Sequence, residues 1–438
     1  MNDQPPKKPL GFWTCWSLTV GCMIGSGIFM LPAVLAPYGM VSFGGWVLAC
    51  AGAILIALTL ARLAARTTRT GGPYAYVHDA FGDLVGFVNI WGYWTTYWAG
   101  IAAVAVAFAG YLTVFAPALQ DNPTGQALSA LALIWALTLV NIRGLRESSL
   151  VQIALTFLKL APLLAIVALG VFAGRAENLP AFNPQHAPLL PTLAATALLT
   201  MWAFVGLEAG AIPAGACENS ERTIPRALVF GTITVTIVYL SATAAVMLLV
   251  PAEVLVTSTS PFADAARAFG AWGPSLVAAG ALVATAGTAN GLIFCAGQLP
   301  MAAALDRLAP RALGLTGKSG APYVALLVSV VPTSLLLVAN YSRGLIEAFT
   351  FLIMLSTLGT LVPYLLSALA ELRHSWRSAR GWAGVALLAA VFSIFAIIGS
   401  GREALIWGIV LFASGVPLFY LLRAHIAPSA NPKHANIH

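Results

Sequence analysis

Long apolar runs recur along almost the whole chain, and nearly all of its charge falls in the short stretches between them. No residue between Lys8 and Arg62 is charged, a stretch that accommodates two membrane spans at ~20 residues each. Reading the runs against charged residues and Pro/Gly punctuation predicts twelve transmembrane helices. They cover 11–37, 41–64, 84–117, 126–143, 149–173, 190–217, 225–250, 271–304, 322–340, 345–371, 382–400 and 403–423. The first, third and eighth are long enough to be tilted, broken or extended beyond the bilayer.

Two of these runs are interrupted by glycine at corresponding places. Gly25-Ser26-Gly27-Ile28-Phe29 interrupts the first, and Phe204-Val205-Gly206-Leu207-Glu208-Ala209-Gly210 the sixth. Glycine weakens a helix, and without a side chain it lets main-chain N–H and C=O groups open toward a small ligand. A matched pair of such breaks in the two halves of a polytopic chain points to a substrate site near the bilayer midplane of a transporter. Bare main chain of this kind suits a zwitterion such as an amino acid.

Composition makes the membrane assignment firm. Of 438 residues 59% are hydrophobic and 8% charged, where a soluble domain carries roughly a quarter charged residues. Lys7 and Lys8 lead into a long apolar segment without a small-residue cleavage site, so the first span is expected to remain in the mature protein. Every Lys and Arg except Arg175, Arg267, Arg343, Arg402 and the intramembrane Lys159 falls on the side of the bilayer that holds the N-terminus. By the positive-inside rule both termini are cytoplasmic and the protein is multi-pass in the plasma (inner) membrane. The net charge of +7 is therefore a topology signal, dispersed over short loops, and excludes a nucleic-acid-binding reading. Cys15, Cys22, Cys50, Cys217 and Cys295 lack CxxC spacing and read as small packing residues. The histidines fall in loops or the tail, so no intramembrane metal cluster is expected. The end of the chain, beyond Arg423, reads as a disordered cytoplasmic tail.

Two ionisable side chains sit well inside predicted spans, Lys159 in the fifth and Glu208 beside the second break. A charge at that depth is costly and normally faces a cavity or a partner. Snorkelling is the plain alternative for Lys159, and capping of exposed N–H groups for Glu208. The reading favoured for both is coupling, with Glu208 also gating. Trp13, Trp16, Trp46, Trp91, Trp94, Trp98, Trp382 and Trp407 read mainly as interfacial belt residues. Gly280, Gly287, Gly291 and Gly297 read as sites of close helix packing.

Several motifs, in order, resemble the amino acid, polyamine and organocation transporter superfamily, and within it the basic amino acid and polyamine antiporters of the arginine/agmatine type. They are Gly25–Phe29 with Leu31-Pro32, Gly71-Gly72-Pro73-Tyr74-Ala75-Tyr76, Trp202–Glu208, Glu218–Arg226, Ser260–Arg267 and Thr360-Leu361-Val362-Pro363-Tyr364. The resemblance implies an all-α polytopic fold of twelve helices with a 5+5 inverted repeat in which helices 1 and 6 are broken. The first repeat would span 11–173 and the second 190–371, followed by helices 11 and 12 over 382–423, with cytoplasmic tails at 1–10 and 424–438. It further implies that a substrate carboxylate meets N–H groups at Ser26 and Gly27, while its ammonium meets carbonyls near Met23, Trp202 and Val205, with Gly25 and Ala203 also among the substrate-binding residues. Trp202, Tyr93 and Glu208 would gate the site. No cofactor and no enzymatic activity are implied. The partners expected are a small amino acid, protons in the coupled case, and the lipid bilayer, with the chain acting as a monomer or homodimer.

The chain departs from the arginine/agmatine pattern in its side-chain pocket. Cys22, Ile101 and Leu292 stand where asparagine, asparagine and tryptophan are expected. A guanidinium left unpaired there costs several kcal/mol, so a neutral amino acid is expected unless Thr96, Tyr97 or Asn290 restores polar recognition. Lys159 resembles a different branch, the sodium-independent amino acid transporters, whose lysine ammonium replaces a sodium ion between spans one, five and eight. The expectation is a sodium-independent transporter of a neutral L-amino acid, working by exchange or proton coupling through alternating access. The alternative is a cationic amino acid or polyamine antiporter. A channel would need a continuous polar lining, and an embedded enzyme paired acid/base groups; the spans offer neither.

Overall fold

The computed structural model describes residues 9–25, 27–258, 260–341, 345–400 and 402–426. Its helices are α1 (Phe12–Met23), α2 (Leu31–Leu35), α3 (Val41–Ala64), α4 (Pro73–Phe81), α5 (Asp83–Leu112), α6 (Pro123–Arg143), α7 (Leu145–Ala173) and α8 (Leu189–Met201). They continue as α9 (Ser220–Leu249), α10 (Ala252–Thr257), α11 (Pro261–Ala266), α12 (Gly273–Leu305), α13 (Tyr323–Tyr341), α14 (Leu345–Ser375), α15 (Arg380–Gly399) and α16 (Arg402–Ile426). Among the described residues, nine helices are long and apolar enough to cross a membrane, and the chain is a multi-pass membrane protein. The first predicted span is not among the nine because α1 ends at Met23 and α2 is only a short resumption. The sixth survives as α8, followed by separate 3-10 turns at Trp202–Phe204, Ala209–Ala211 and Ala214–Ala216.

Small residues set the packing. Along α12, a methyl group added at Gly280 would lie 2.6 Å from Pro162 of α7, and one at Gly291 2.7 Å from Cys22 Sγ of α1. At Gly297 it would lie 2.7 Å from Leu326 of α13. Each contact needs backbones closer than a Cβ permits, so α12 can serve as the central post against which α1, α5, α7 and α13 all pack. The five cysteines are free and buried. Trp46, expected at the membrane boundary, is instead fully buried and packs edge-on to Phe204 behind the second break.

One end of the bundle is closed by charge. Glu371 of α14, fully buried, accepts from Arg66 Nη1 at 2.5 Å and lies 3.9 Å from Arg62 Nε. Arg69 pairs with Asp79 of α4 and, at 2.5 Å, with Asp306 after α12. Tyr74 donates to the same Asp306 at 2.7 Å. Burial, and then the bond to Asp306, raises the Tyr74 phenol far above its ordinary range, so it stays a donor at any physiological pH. The apolar runs leave this segment between two predicted spans; Gly72, at φ 52, and Pro73 at the first turn start α4 there. The end of the molecule around Arg66, Arg69 and Glu371 is called the arginine-rich end below.

Candidate functional site

The site begins where α1 fails. Gly25 N–H turns back to Met23 O at 2.9 Å instead of continuing the helical ladder to Gly21 O. Gly21 O and Ile24 O are thus left as orphan acceptors at a helix C-terminus, where the dipole is negative. Lys159 Nζ donates to both at 2.8 Å and to Thr288 Oγ1 at 3.1 Å, which matches the three protons of an ammonium. The Lys159 side chain is 0% exposed. Gln152 and Thr156, on the same face of α7, each donate to Ser17 O at 3.2 Å, so one stripe of α7 is given over to α1 carbonyls.

The second break lies alongside the first. Gly206 adopts φ +101, open to glycine and strained for any other residue. A Cβ there would also stand 2.9 Å from Cys22 Cβ. Tyr239 Oη reaches Met23 O at 2.7 Å and Ala203 O at 3.1 Å, joining the two interrupted helices through one hydroxyl. Gly206→Ala is therefore expected to cost ~1–3 kcal/mol of stability and to reduce transport by at least about tenfold, with 1.4 kcal/mol per decade as the scale. A thermal melt and vesicle uptake on the same preparation check both values.

Glu208 is 1% exposed and is held by three tyrosines. Tyr93 donates to Oε1 at 2.7 Å, Tyr97 to the same oxygen at 3.3 Å, and Tyr364 of α14 to Oε2. Tyr93 and Tyr97 come from successive turns of α5, and Tyr364 also receives the N–H of Gly206 at 3.2 Å. The cluster thus ties α5 and α14 to the second break.

Between the two breaks, α5, α12 and α14 enclose a cavity of about 80 Å³. Of the residues singled out in the sequence, Cys22, Met23, Gly25, Gly27, Thr96, Tyr97, Trp202, Ala203, Val205, Gly206, Glu208 and Leu292 line it. Ser26 lies outside the described residues. Tyr93 stands behind Glu208, and Lys159 behind the first break, outside the lining. Ile101 is a correction. The positions of α5 that line the cavity are Thr96, Tyr97, Gly100, Ala103 and Val104, one helical stripe, and Ile101 is rotated ~100° from Gly100 and away from it. Asn290 does not line the cavity either; it bonds Gln152 Oε1 at 2.9 Å and receives Asn141 Nδ2 at 3.0 Å.

Sequence reading missed Ser356 and Thr288 and did not place Thr360 in the lining. Thr360 and Tyr364, both in one quoted motif, share a helix face, and one more turn back along it would have reached Ser356. The wall is accordingly more polar than expected, with hydroxyls from Thr96, Tyr97, Thr288, Ser356 and Thr360 and Glu208 as its acidic side chain. Met23 O already accepts Gly25 N–H and Tyr239 Oη. Trp202 O accepts only Val205 N–H, at 3.2 Å, among the bonds described.

Trp202 and Gly27 also border a second, larger recess of about 530 Å³, lined by Val34, Leu198 and Ala396 among others. A Cβ at Gly27 would run into the Trp202 ring. The indole, laid over the first break, forms the partition between the two spaces.

The profile of the amino acid permease family matches residues 10–423. The cadaverine/lysine antiporter of Escherichia coli K12 is 29% identical over 95% of this chain and 96% of its own length. A Bacillus subtilis protein provisionally named an arginine/ornithine antiporter is 30% identical over 94% of this chain and 95% of its own. The putrescine transporter PotE of Escherichia coli K12 is 27% identical over 96% and 97% respectively. With two broken helices facing each other across a cavity whose wall carries hydroxyls and Glu208, and a family match over residues 10–423, the chain belongs to the amino acid permease family of transporters.

Proposed function

We propose that the protein is a sodium-independent antiporter of cationic amino acids and polyamines. The observation that carries this reading is Glu208, a buried carboxylate in the wall of a cavity bounded by bare main chain. A cation entering such a cavity gains a charged partner in place of water, and the surrounding hydroxyls complete its hydrogen bonds. The three relatives, by their names, move lysine and cadaverine, arginine and ornithine, and putrescine. The expectation of a neutral substrate is set aside. It counted Ile101 as part of the pocket and left Ser356 and Thr360 out.

The main chain at residues 25–27 would take a carboxylate where the substrate has one, while Trp202 O and Val205 O would take the α-ammonium. Lys159 would serve as a built-in cation, since two carbonyls and a hydroxyl are the ligands a sodium ion takes. Trp202, Tyr93 and Glu208 would gate, and Glu208 and Lys159 would couple movement to exchange. The two breaks support a twelve-span arrangement with two inverted repeats, one over 11–173 and one over 190–371, followed by 382–423. The clustering of arginines at one end supports a cytoplasmic placement of that end and of both termini.

Counterflow in liposomes tests the assignment. With labelled lysine outside, internal lysine, arginine, cadaverine and putrescine are expected to drive saturable uptake, and leucine and alanine to drive none. Counterflow driven by leucine or alanine and not by any cation would overturn it, and linear, unsaturable flux would indicate a pore.

A further inference from the structure

The helices α5 and α14 run antiparallel from the cavity to the arginine-rich end, and their register is set by two close approaches. A Cβ on Gly100 would stand 2.9 Å from Ser356 Oγ, and a Cβ on Gly359 would run into Thr96. Nearer the arginine-rich end, Tyr93 and Tyr364 meet on Glu208. One further turn in the same directions brings Asn89 of α5 alongside Ser367 of α14. Both residues are 0% exposed. The Asn89 amide finds no partner for either its oxygen or its nitrogen, and the Ser367 hydroxyl finds none for its own. A third buried and unpartnered group, Tyr76 Oη, lies on α4, which packs against both helices. Past Ser367 the stripe on α14 ends at Glu371 and its arginines.

Polar side chains in the middle of an apolar bundle are costly without partners, and native structures leave few of them so. By helical register Asn89 and Ser367 fall on one seam, directly beyond Glu208, and together offer both donors and acceptors. That combination suits water better than an anion, for which the acceptors are wrong, or a metal ion, for which the donors are wrong. We infer that Asn89 and Ser367 line an aqueous branch of the pathway, which opens from the arginine-rich end during transport and carries solvent up to the Glu208 carboxylate. The inference deepens the antiporter reading and rests on it. It gives Glu208 a route to bulk water on the side away from Trp202.

Site-resolved thiol labelling tests this. Ser367→Cys exchanges a hydroxyl for a thiol of similar shape, and Asn89→Cys provides an independent second position. Ser393→Cys is the control, because Ser393 is equally buried on α15 but its hydroxyl is bonded to Ala389 O at 2.8 Å. Each variant in sided membrane vesicles, under saturating lysine exchange, is treated with the membrane-impermeant methanethiosulfonate ethyltrimethylammonium, and the modified peptide is quantified by mass spectrometry so that the native cysteines stay in place. Labelling of Ser367→Cys and Asn89→Cys from the arginine-rich face at least about tenfold faster than the control is expected, a ratio equal to ~1.4 kcal/mol of easier opening. Rates no faster than the control, or labelling only from the opposite face, would overturn the inference. Wild-type counterflow measured on the same vesicles keeps the two readings apart: its absence counts against the antiporter, while unreactive thiols in a protein that still exchanges count against the aqueous branch alone.

Discussion

Lys159→Ala abolishes exchange in reconstituted vesicles while leaving a folded, monodisperse protein: this is the largest effect expected of any single change to the chain. Removing the ammonium leaves Gly21 O and Ile24 O without their donor, and the one proton of Thr288 can serve only one of them. An orphaned buried carbonyl costs ~1–3 kcal/mol, and the space left by four methylenes adds to it, so the melting free energy is expected to fall by ~2–4 kcal/mol. The functional loss has a separate cause. The end of α1 is held open as a break because a cation sits on its terminal carbonyls; without it the segment has no reason to keep the geometry that faces the cavity. Lys159→Met separates the two effects, since it fills most of the volume but carries no charge. Exchange retained in Lys159→Met would assign the residue to packing, and exchange unchanged in Lys159→Ala would remove Lys159 from the mechanism.

Glu208→Gln carries the second large effect. The amide is nearly isosteric, and the cost to folding is expected to stay near ~1 kcal/mol because one of the three tyrosine hydroxyls must turn to accept where it had donated. Binding of a cationic substrate loses its buried counter-charge, for which ~2 kcal/mol or more is the usual penalty. That corresponds to at least about a thirtyfold rise in the Kd of lysine or cadaverine measured by calorimetry. A neutral amino acid would lose little. If lysine binds Glu208→Gln as tightly as the wild type, the carboxylate is not the cation's partner, and the cationic assignment loses its main physical support.

The parts of this molecule legible in the sequence are those that depend on local composition. Apolar runs located α3, α5, α6, α7, α9 and α12 to α16 to within a few residues, since any backbone crossing hydrocarbon must satisfy its own hydrogen bonds; the short α4, α10 and α11 carried no such signal, and α8 stops at Met201 where a run to 217 was expected. The end of α16 is an exception at the margin, because the helix runs on to Ile426 where a tail was expected from residue 424; residues 427–438, with the rest of that tail, lie outside the described set. The side-chain end of the cavity was less legible. Placing Ile101 in the lining required the rotation of α5 about its axis, and a helix apolar on every side gives no periodic signal from which to read that rotation. Trp46 was misplaced for a related reason: an indole near the end of an apolar run looks the same whether it faces headgroups or, as here, the interior.

By itself the amino-acid order determined that the chain lies in a membrane, where its helices run, and where two of them must break, because hydropathy and the absence of a side chain are properties of single residues. Only the tertiary structure decided what those breaks face. The partners of Lys159 are main-chain carbonyls more than a hundred residues away, and those of Glu208 are tyrosines from two other helices. Main-chain acceptors carry no sequence signature, and the register between α5 and α14 is set by packing. Which groups are paired in this bundle, and which are left for water, is therefore a property of the assembled fold.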